Sequence, residues 1–101
     1  MGKVSMMGSF KCKAGMDGEM EAVLMSMVAA ARSEPGVEIY SYHRGEQGVF
    51  WFFALMADEE SAEQHGRSEA MQEAMRAFVP LVAEPLRMSV TSPVAALGFE
   101  A

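Results

Sequence analysis

Hydrophobic residues recur with two different spacings along the 101-residue chain, and the order of these spacings predicts the secondary structure. From Val4 to Cys12 one residue in two is small or apolar, which is the period of a half-buried strand. From Met20 to Ala31 and from Met71 to Val82 the apolar residues instead recur every three or four positions, as on one face of an amphipathic helix. A strand and a helix therefore open the chain, and a second long helix lies in its last third.

Three shorter segments complete the order of elements. Val37–Arg44 and Val49–Met56 are rich in β-branched and aromatic residues and flank a polar turn bounded by glycines, which predicts a hairpin. Asp58–His65 predicts a short polar helix, and Leu86–Thr91 alternates again and predicts a last strand. The order βαββαβ favours an α+β, ferredoxin-like fold, in which a four-stranded antiparallel sheet carries both helices on one face.

The strand Val49–Met56 is apolar on both faces, although helices on one side of the sheet cover only one of them. Trp51 shares its face with Phe53 and Leu55, and this neighbourhood favours a place in the core. Aromatic side chains left in water would forgo about 1.5 to 3 kcal/mol each. A second copy of the same sheet, related by a two-fold axis, is the simplest cover. The sequence therefore predicts a homodimer.

Composition and charge restrict the kinds of partner the protein can bind and the cellular compartment we expect for it. A net charge of −6 with no local basic patch argues against nucleic-acid binding. The longest apolar run, residues 49–57, is far shorter than the roughly 20 residues of a membrane-spanning helix. The chain has a single cysteine and no secretory signal pattern, so we expect a reducing, cytoplasmic protein.

Several stretches together resemble one known family. They are EPGVEIYSYHR (34–44), ADEESAEQH (57–65) with Ser68 three residues later, and AEP (83–85) before the last strand. They are similar to the antibiotic biosynthesis monooxygenase family of dimeric α+β barrel proteins, which includes quinol monooxygenases and autoinducer-degrading enzymes. The resemblance covers about residues 3–93. It implies one domain over residues 1–101 with a tail at 94–101, and a small-molecule pocket between the sheet and helices of each subunit.

The resemblance also implies a chemistry. It points to a cofactor-independent monooxygenase that oxidises a small phenol or quinol with O₂, with His65 as the general base because a neutral imidazole accepts a proton near pH 7. Candidate substrate-binding residues are aromatic, cationic or thioether side chains: Tyr40, Tyr42, His43, Arg44, Trp51, Met71 and Met75. Three alternatives stay open. The chain could be an enzyme of the same fold that degrades or isomerises a small carbonyl or signal molecule, it could be a non-catalytic ligand-binding dimer, and His65 could be a structural cap.

The chain departs from the family pattern in ways that narrow its chemistry. Relatives often have an acidic residue and then Trp or Tyr where Ala54 and Met56 stand. The haem-degrading branch has its iron-binding histidine where Met75 stands and uses an asparagine, and the chain has no asparagine, so haem degradation is not expected. Cys12, His43 and His65 lack the spacing of metal ligands, and no glycine-rich phosphate loop is present. We therefore expect no metal and no organic cofactor.

Overall fold

The computed structural model describes residues 2–101 and has the predicted order of elements. The strands are β1 (Val4–Cys12), β2 (Val37–Arg44), β3 (Val49–Met56) and β4 (Val82–Thr91). The helices are α1 (Asp17–Ala31), α2 (Glu59–His65) and α3 (Glu69–Phe78), and a 3₁₀ turn at Val79–Leu81 follows α3. Helix α1 ends before the Pro35-Gly36 turn, whereas α3 ends at Phe78, four residues before the end of its predicted stripe at Val82, because Pro80 cannot continue the helix.

The four strands form one antiparallel sheet in the order β2-β3-β1-β4. This is the ferredoxin-like α+β fold that the sequence predicts. The last strand begins at Val82, four residues before the predicted start at Leu86, because its ladder continues past a register shift to the pair Cys12↔Val82. β2 and β4 are the two edges of the sheet.

The main core lies between the helices and one face of the sheet. Both long helices bury the residues of their apolar stripe, and α1 contributes Met20, Leu24, Met27 and Ala31 while α3 contributes Met71, Ala74 and Phe78. Phe10 of β1 stacks on Phe50 of β3 and meets the edge of Phe78. β4 lies outside this cover, so its apolar side chains Leu86, Met88 and Val90 are exposed.

The face of the sheet opposite the helices is covered at one end by the chain itself. Leu55 is fully buried there, and the half-buried Phe53 packs against Phe99 of the C-terminal segment, residues 92–101. Part of the cover that the sequence analysis expected from a second copy is thus supplied by the chain itself. At the other end Trp51 is 53% exposed rather than part of the core as the sequence favoured, because it lies on the sheet face opposite the helices. Within residues 2–101, no helix combines the length and apolarity needed to cross a membrane.

Candidate functional site

A cavity of about 240 Å³ lies between the sheet and helices α2 and α3, next to β4. Its wall is mostly apolar and contains five thioethers, from Met6, Met27, Met71, Met75 and Met88. Titratable side chains line it at only three positions among the described residues: Tyr40, Tyr42 and His65. Five of the eight predicted site residues are thus brought together here, namely Tyr40, Tyr42, His65, Met71 and Met75.

His65, the last residue of α2, forms a nearly buried pair with Glu34 from the turn between α1 and β2. Its Nδ1 lies 2.8 Å from Oε1 of Glu34, and the two side chains are 13% and 12% exposed. A carboxylate only accepts hydrogen bonds, so Nδ1 carries the donated proton when the imidazole is neutral. Nε2 then has the free lone pair, and this ring nitrogen has no hydrogen-bond partner within residues 2–101. His65 thus lies on the cavity wall with one ring nitrogen bonded to a carboxylate and the other without a partner among residues 2–101.

Glu34 is itself held in place by a helix start. Ser68 is the N-cap of α3, and its Oγ accepts a hydrogen bond from the backbone N–H of Met71 at 3.1 Å. The same hydroxyl donates to Oε2 of Glu34 at 3.3 Å. Each oxygen of the carboxylate therefore has one partner, and the pair joins the α1–β2 turn to both α2 and α3.

Gly36 allows α2 to approach that turn closely. Its φ is +90°, a backbone conformation that favours glycine, and a Cβ built on it would lie 2.0 Å from Oγ of Ser61 in α2. The carbonyl of Gly36 also accepts a hydrogen bond from the backbone N–H of Ala57 at 2.8 Å, and Asp58 caps α2 through the backbone N–H of Ser61. Glu34 and His65, 31 residues apart, meet because of this contact.

Tyr40 and Tyr42 form a pair of hydroxyl donors beside the histidine. The Tyr40 ring meets the His65 ring edge-on with centroids 5.0 Å apart, and its hydroxyl is hydrogen-bonded to that of Tyr42. Burial raises the pKa of Tyr40 above its ordinary value and raises that of Tyr42 strongly, so both remain neutral donors near neutral pH. The Tyr42 hydroxyl donates to Sδ of Met27 at 3.9 Å. Since a thioether is a weak acceptor, the Tyr42 hydroxyl can form a stronger hydrogen bond with an oxygen atom that takes the place of this sulfur.

The other three predicted residues lie elsewhere. His43 and Arg44 line a larger cleft of about 350 Å³ between α1 and the end of β2, which does not contain His65. There Arg44 donates two hydrogen bonds to the Glu21 carboxylate, one from Nε to Oε2 and one from Nη2 to Oε1 at 2.7 Å. This pairing lowers the pKa of Glu21. The His43 imidazole bonds Ser41, and its cross-strand partner is Trp51, on the face opposite the helices. The geometry therefore separates these three residues from the His65 cavity.

The comparisons with known proteins agree with this fold. The family model of antibiotic biosynthesis monooxygenases matches residues 3–77, which is most of the chain. The chain belongs to the antibiotic biosynthesis monooxygenase family. No curated protein matches it.

Solved structures share the fold of this family member at low sequence identity. A Caulobacter crescentus protein assigned to the antibiotic biosynthesis monooxygenases is 23% identical with a TM-score of 0.87, over 93% of this chain and 92% of that one. One from Chloroflexus aurantiacus is 22% identical with a TM-score of 0.82, over 95% and 97%. A variant of SnoaB, a cofactor-independent oxygenase from Streptomyces nogalater, is 15% identical with a TM-score of 0.85, over 98% and 100%.

Sequence reasoning missed the partners of His65 in this family member. Glu34 and Ser68 both stand in the stretches that carry the resemblance, but neither lies on a periodic apolar face that would place it near the histidine. The available signal is local: Glu34 directly precedes the Pro-Gly turn, and Ser68 precedes a helix as an N-cap residue does. Across residues 2–101, no three His, Cys, Asp or Glu side chains are grouped so that they could hold a metal ion.

Proposed function

We propose that the chain is a cofactor-independent oxygenase of small phenols or quinols, with His65 as its general base. The observation that carries the proposal is the Glu34–His65 pair, which leaves Nε2 unpartnered on the wall of an apolar cavity. The cofactor-independent activity of SnoaB, a protein of the same fold, supports the reaction class. The family resemblance and the exposed apolar side chains Met7 and Trp51 on the sheet face opposite the helices support a homodimer.

The reaction needs a proton acceptor and a dry site. Nε2 of His65 takes the phenolic proton, and the substrate anion gives one electron to O₂. The resulting substrate radical and superoxide combine at a ring carbon to form a peroxide anion, which takes the proton back from the imidazolium. The hydroperoxide then loses water as its O–O bond breaks and the carbon gives up its hydrogen to become a carbonyl. A hydroquinone and one O₂ thus yield a hydroxyquinone and one water, so one oxygen atom enters the product. The apolar wall favours the electron transfer because it keeps bulk water away from the anion.

Each polar residue of the cavity has a distinct part in this scheme. The Glu34 carboxylate is a positioning group, since it selects the tautomer of His65 and stabilises the imidazolium that forms. The Tyr42 hydroxyl exchanges its thioether acceptor for a substrate oxygen. The thioether side chains provide an adaptable surface for a flat ring.

The two histidines of the chain make the test a matched comparison. Oxygen uptake is measured with a panel of mono- and bicyclic hydroquinones for the unmodified protein, His65→Gln and His43→Gln. We expect His65→Gln to lower turnover on the order of 10² or more, the usual yield of general-base catalysis. His43→Gln changes it by less than about twofold, because His43 lies outside the cavity.

Further measurements separate the alternatives. With ¹⁸O₂, one labelled oxygen is expected in the product and one in water. Substrate consumption without oxygen uptake would instead identify a proton-transfer enzyme, and tight binding without turnover would identify a ligand-binding protein. Glu34→Gln keeps the shape of the hydrogen bond but removes the charge, so kcat falls about tenfold or more while KM changes little. If kcat falls only in those variants whose melting temperature also falls, the Glu34–His65 pair has a structural role only.

A further inference from the structure

We propose that the C-terminal segment, residues 92–101, competes with a second copy of the chain for the sheet face opposite the helices. The inference rests on the proposed homodimer, and it adds a device within the chain that sets how tightly the dimer forms. The segment lies on one end of this face and has to leave that end before another sheet can cover the whole of it.

Exposure changes sharply along this face. Leu55 and Ser5 at one end are 0% and 3% exposed, Met7 in the middle, which pairs with Phe53, is 42% exposed, and Trp51 at the other end is 53% exposed. These residues share one face, because Ser5 pairs with Leu55 and the four alternate with residues directed toward the helices. The buried end is the one at which β4 ends, where Thr91 bonds Ser5 and the C-terminal segment begins. The segment therefore starts at the buried end, its Phe99 covers Phe53 in the middle of the face, and the Trp51 end is left free.

The segment is held to the sheet by few apolar contacts. The ring of Phe99 lies 6.1 Å from that of Phe53, tilted by 34°. Gly98, with φ +104°, provides the turn that precedes this contact. Val94 and Leu97 are almost fully exposed, and the segment contains no helix or strand. One aromatic anchor on an irregular segment is a contact that a partner can displace.

Sheet-to-sheet packing explains why the two covers exclude each other. Sheets that pack face to face lie about 10 Å apart, and the side chains of the two inner faces fill that layer. Phe99 of the segment occupies the same layer over Phe53. A two-fold partner can reach Trp51 with the segment in place, but it can bury the whole face only after Phe99 has moved.

Two apolar side chains of the segment provide a matched test. Phe99→Ala removes the anchor, whereas Leu97→Ala removes an apolar side chain of the same segment that touches nothing. The dimer dissociation constant is measured by sedimentation equilibrium for the intact chain and both variants. We expect Phe99→Ala to strengthen the dimer by about tenfold, because clearing the face no longer requires loss of the aromatic contact, and Leu97→Ala to change the constant by less than about twofold. A chain that ends at Thr91 should dimerise at least as tightly as Phe99→Ala.

Each other outcome overturns the inference in a recognisable way. A weaker dimer in both variants would mean that the segment grips the partner rather than competing with it. A dimer whose constant does not depend on Phe99 would refute the competition and leave the proposed dimer intact. Monomers in all variants up to about 200 µM, well above the dissociation constants of specific dimers, would refute the dimer itself. If the shortened chain is unstable because Leu55 loses its cover, the point variants still decide the matter.

Discussion

Gly36→Ala tests whether the close approach of α2 to the α1–β2 turn builds the site. The substitution places a methyl group on a backbone with φ +90°, 2.0 Å from Oγ and 2.6 Å from Cβ of Ser61. Neither atom can be avoided by a change of rotamer alone, because Cβ belongs to the rigid start of α2. Helix α2 therefore has to move away from the turn, and it takes His65 with it.

The cost has two sources. A left-handed backbone conformation disfavours an L-residue by roughly 1 to 2 kcal/mol, and forced overpacking adds about 1 to 3 kcal/mol. Because 1 kcal/mol shifts the melting temperature of a domain of this size by roughly 4 to 8 °C, we expect Gly36→Ala to melt at least about 10 °C lower. Turnover measured well below that temperature should also fall, since separating Nδ1 of His65 from Glu34 removes the group that selects its tautomer.

The assay is thermal unfolding by circular dichroism together with oxygen uptake, and Gly18→Ala is the control. A Cβ on Gly18 meets nothing within 4 Å, and Gly18 lies in the first turn of α1. Alanine there should stabilise the protein by about 0.5 to 1 kcal/mol, as in other helices. A Gly36→Ala protein that melts within about 2 °C of the unmodified chain, or that keeps full turnover, would refute the link between this contact and the site.

Three further predictions rest on single side chains. Ser68→Ala should lower the melting temperature by roughly 4 to 8 °C, because it removes an N-cap that contributes about 1 kcal/mol. It should also lower turnover, because Ser68 bonds Glu34, whereas Ser33→Ala at an exposed position should change neither quantity. Burial raises the pKa of Tyr40 and Tyr42, so the stability they contribute is complete below about pH 10 and falls above it by about 1.4 kcal/mol per pH unit for each; urea unfolding that is unchanged from about pH 9 to about pH 11 would contradict this. The Cys12 thiol is buried, which raises its pKa, so a thiol reagent should label it only after unfolding, and rapid labelling of the native protein would show that β1 opens.

Most of the fold could be predicted because the spacing of hydrophobic residues within each segment indicates whether it is a strand or a helix. β1, β2 and β3 have the bounds that the alternating and apolar runs indicate, and the α1 and α3 stripes supply the buried residues of those helices. Asp58 and Ser68 mark the starts of α2 and α3 through hydrogen bonds that depend only on neighbouring residues. The start of β4 was missed because it depends on pairing with β1, 70 residues away in sequence at Cys12↔Val82.

The site was harder to predict because its decisive contact is not local. His65 could be proposed from its residue type and place, but its partner Glu34 is 31 residues away and meets it through a turn, a glycine and a helix cap together. The C-terminal segment escaped prediction for a similar reason, since its irregular sequence gives no period by which Phe99 could be placed over Phe53. The face of the sheet on which Trp51 lies was predicted correctly, but its exposure was not, because exposure depends on what covers that face.

Of the two departures from the family pattern, Ala54 bears on the chemistry of the cavity and Met56 does not. Ala54 lines the cavity and is fully buried, and Met56 is fully buried in a small apolar cluster with Val4. An acidic residue at Ala54 would add a second proton acceptor to the wall, and its absence leaves the imidazole of His65 as the neutral base there. With His65 as the base that we propose, we expect the substrate proton to leave from the end of the ring that faces His65. The part of the ring near Ala54 meets hydrocarbon, so a substituent that is charged at that position should be rejected because its desolvation is not repaid by a hydrogen bond.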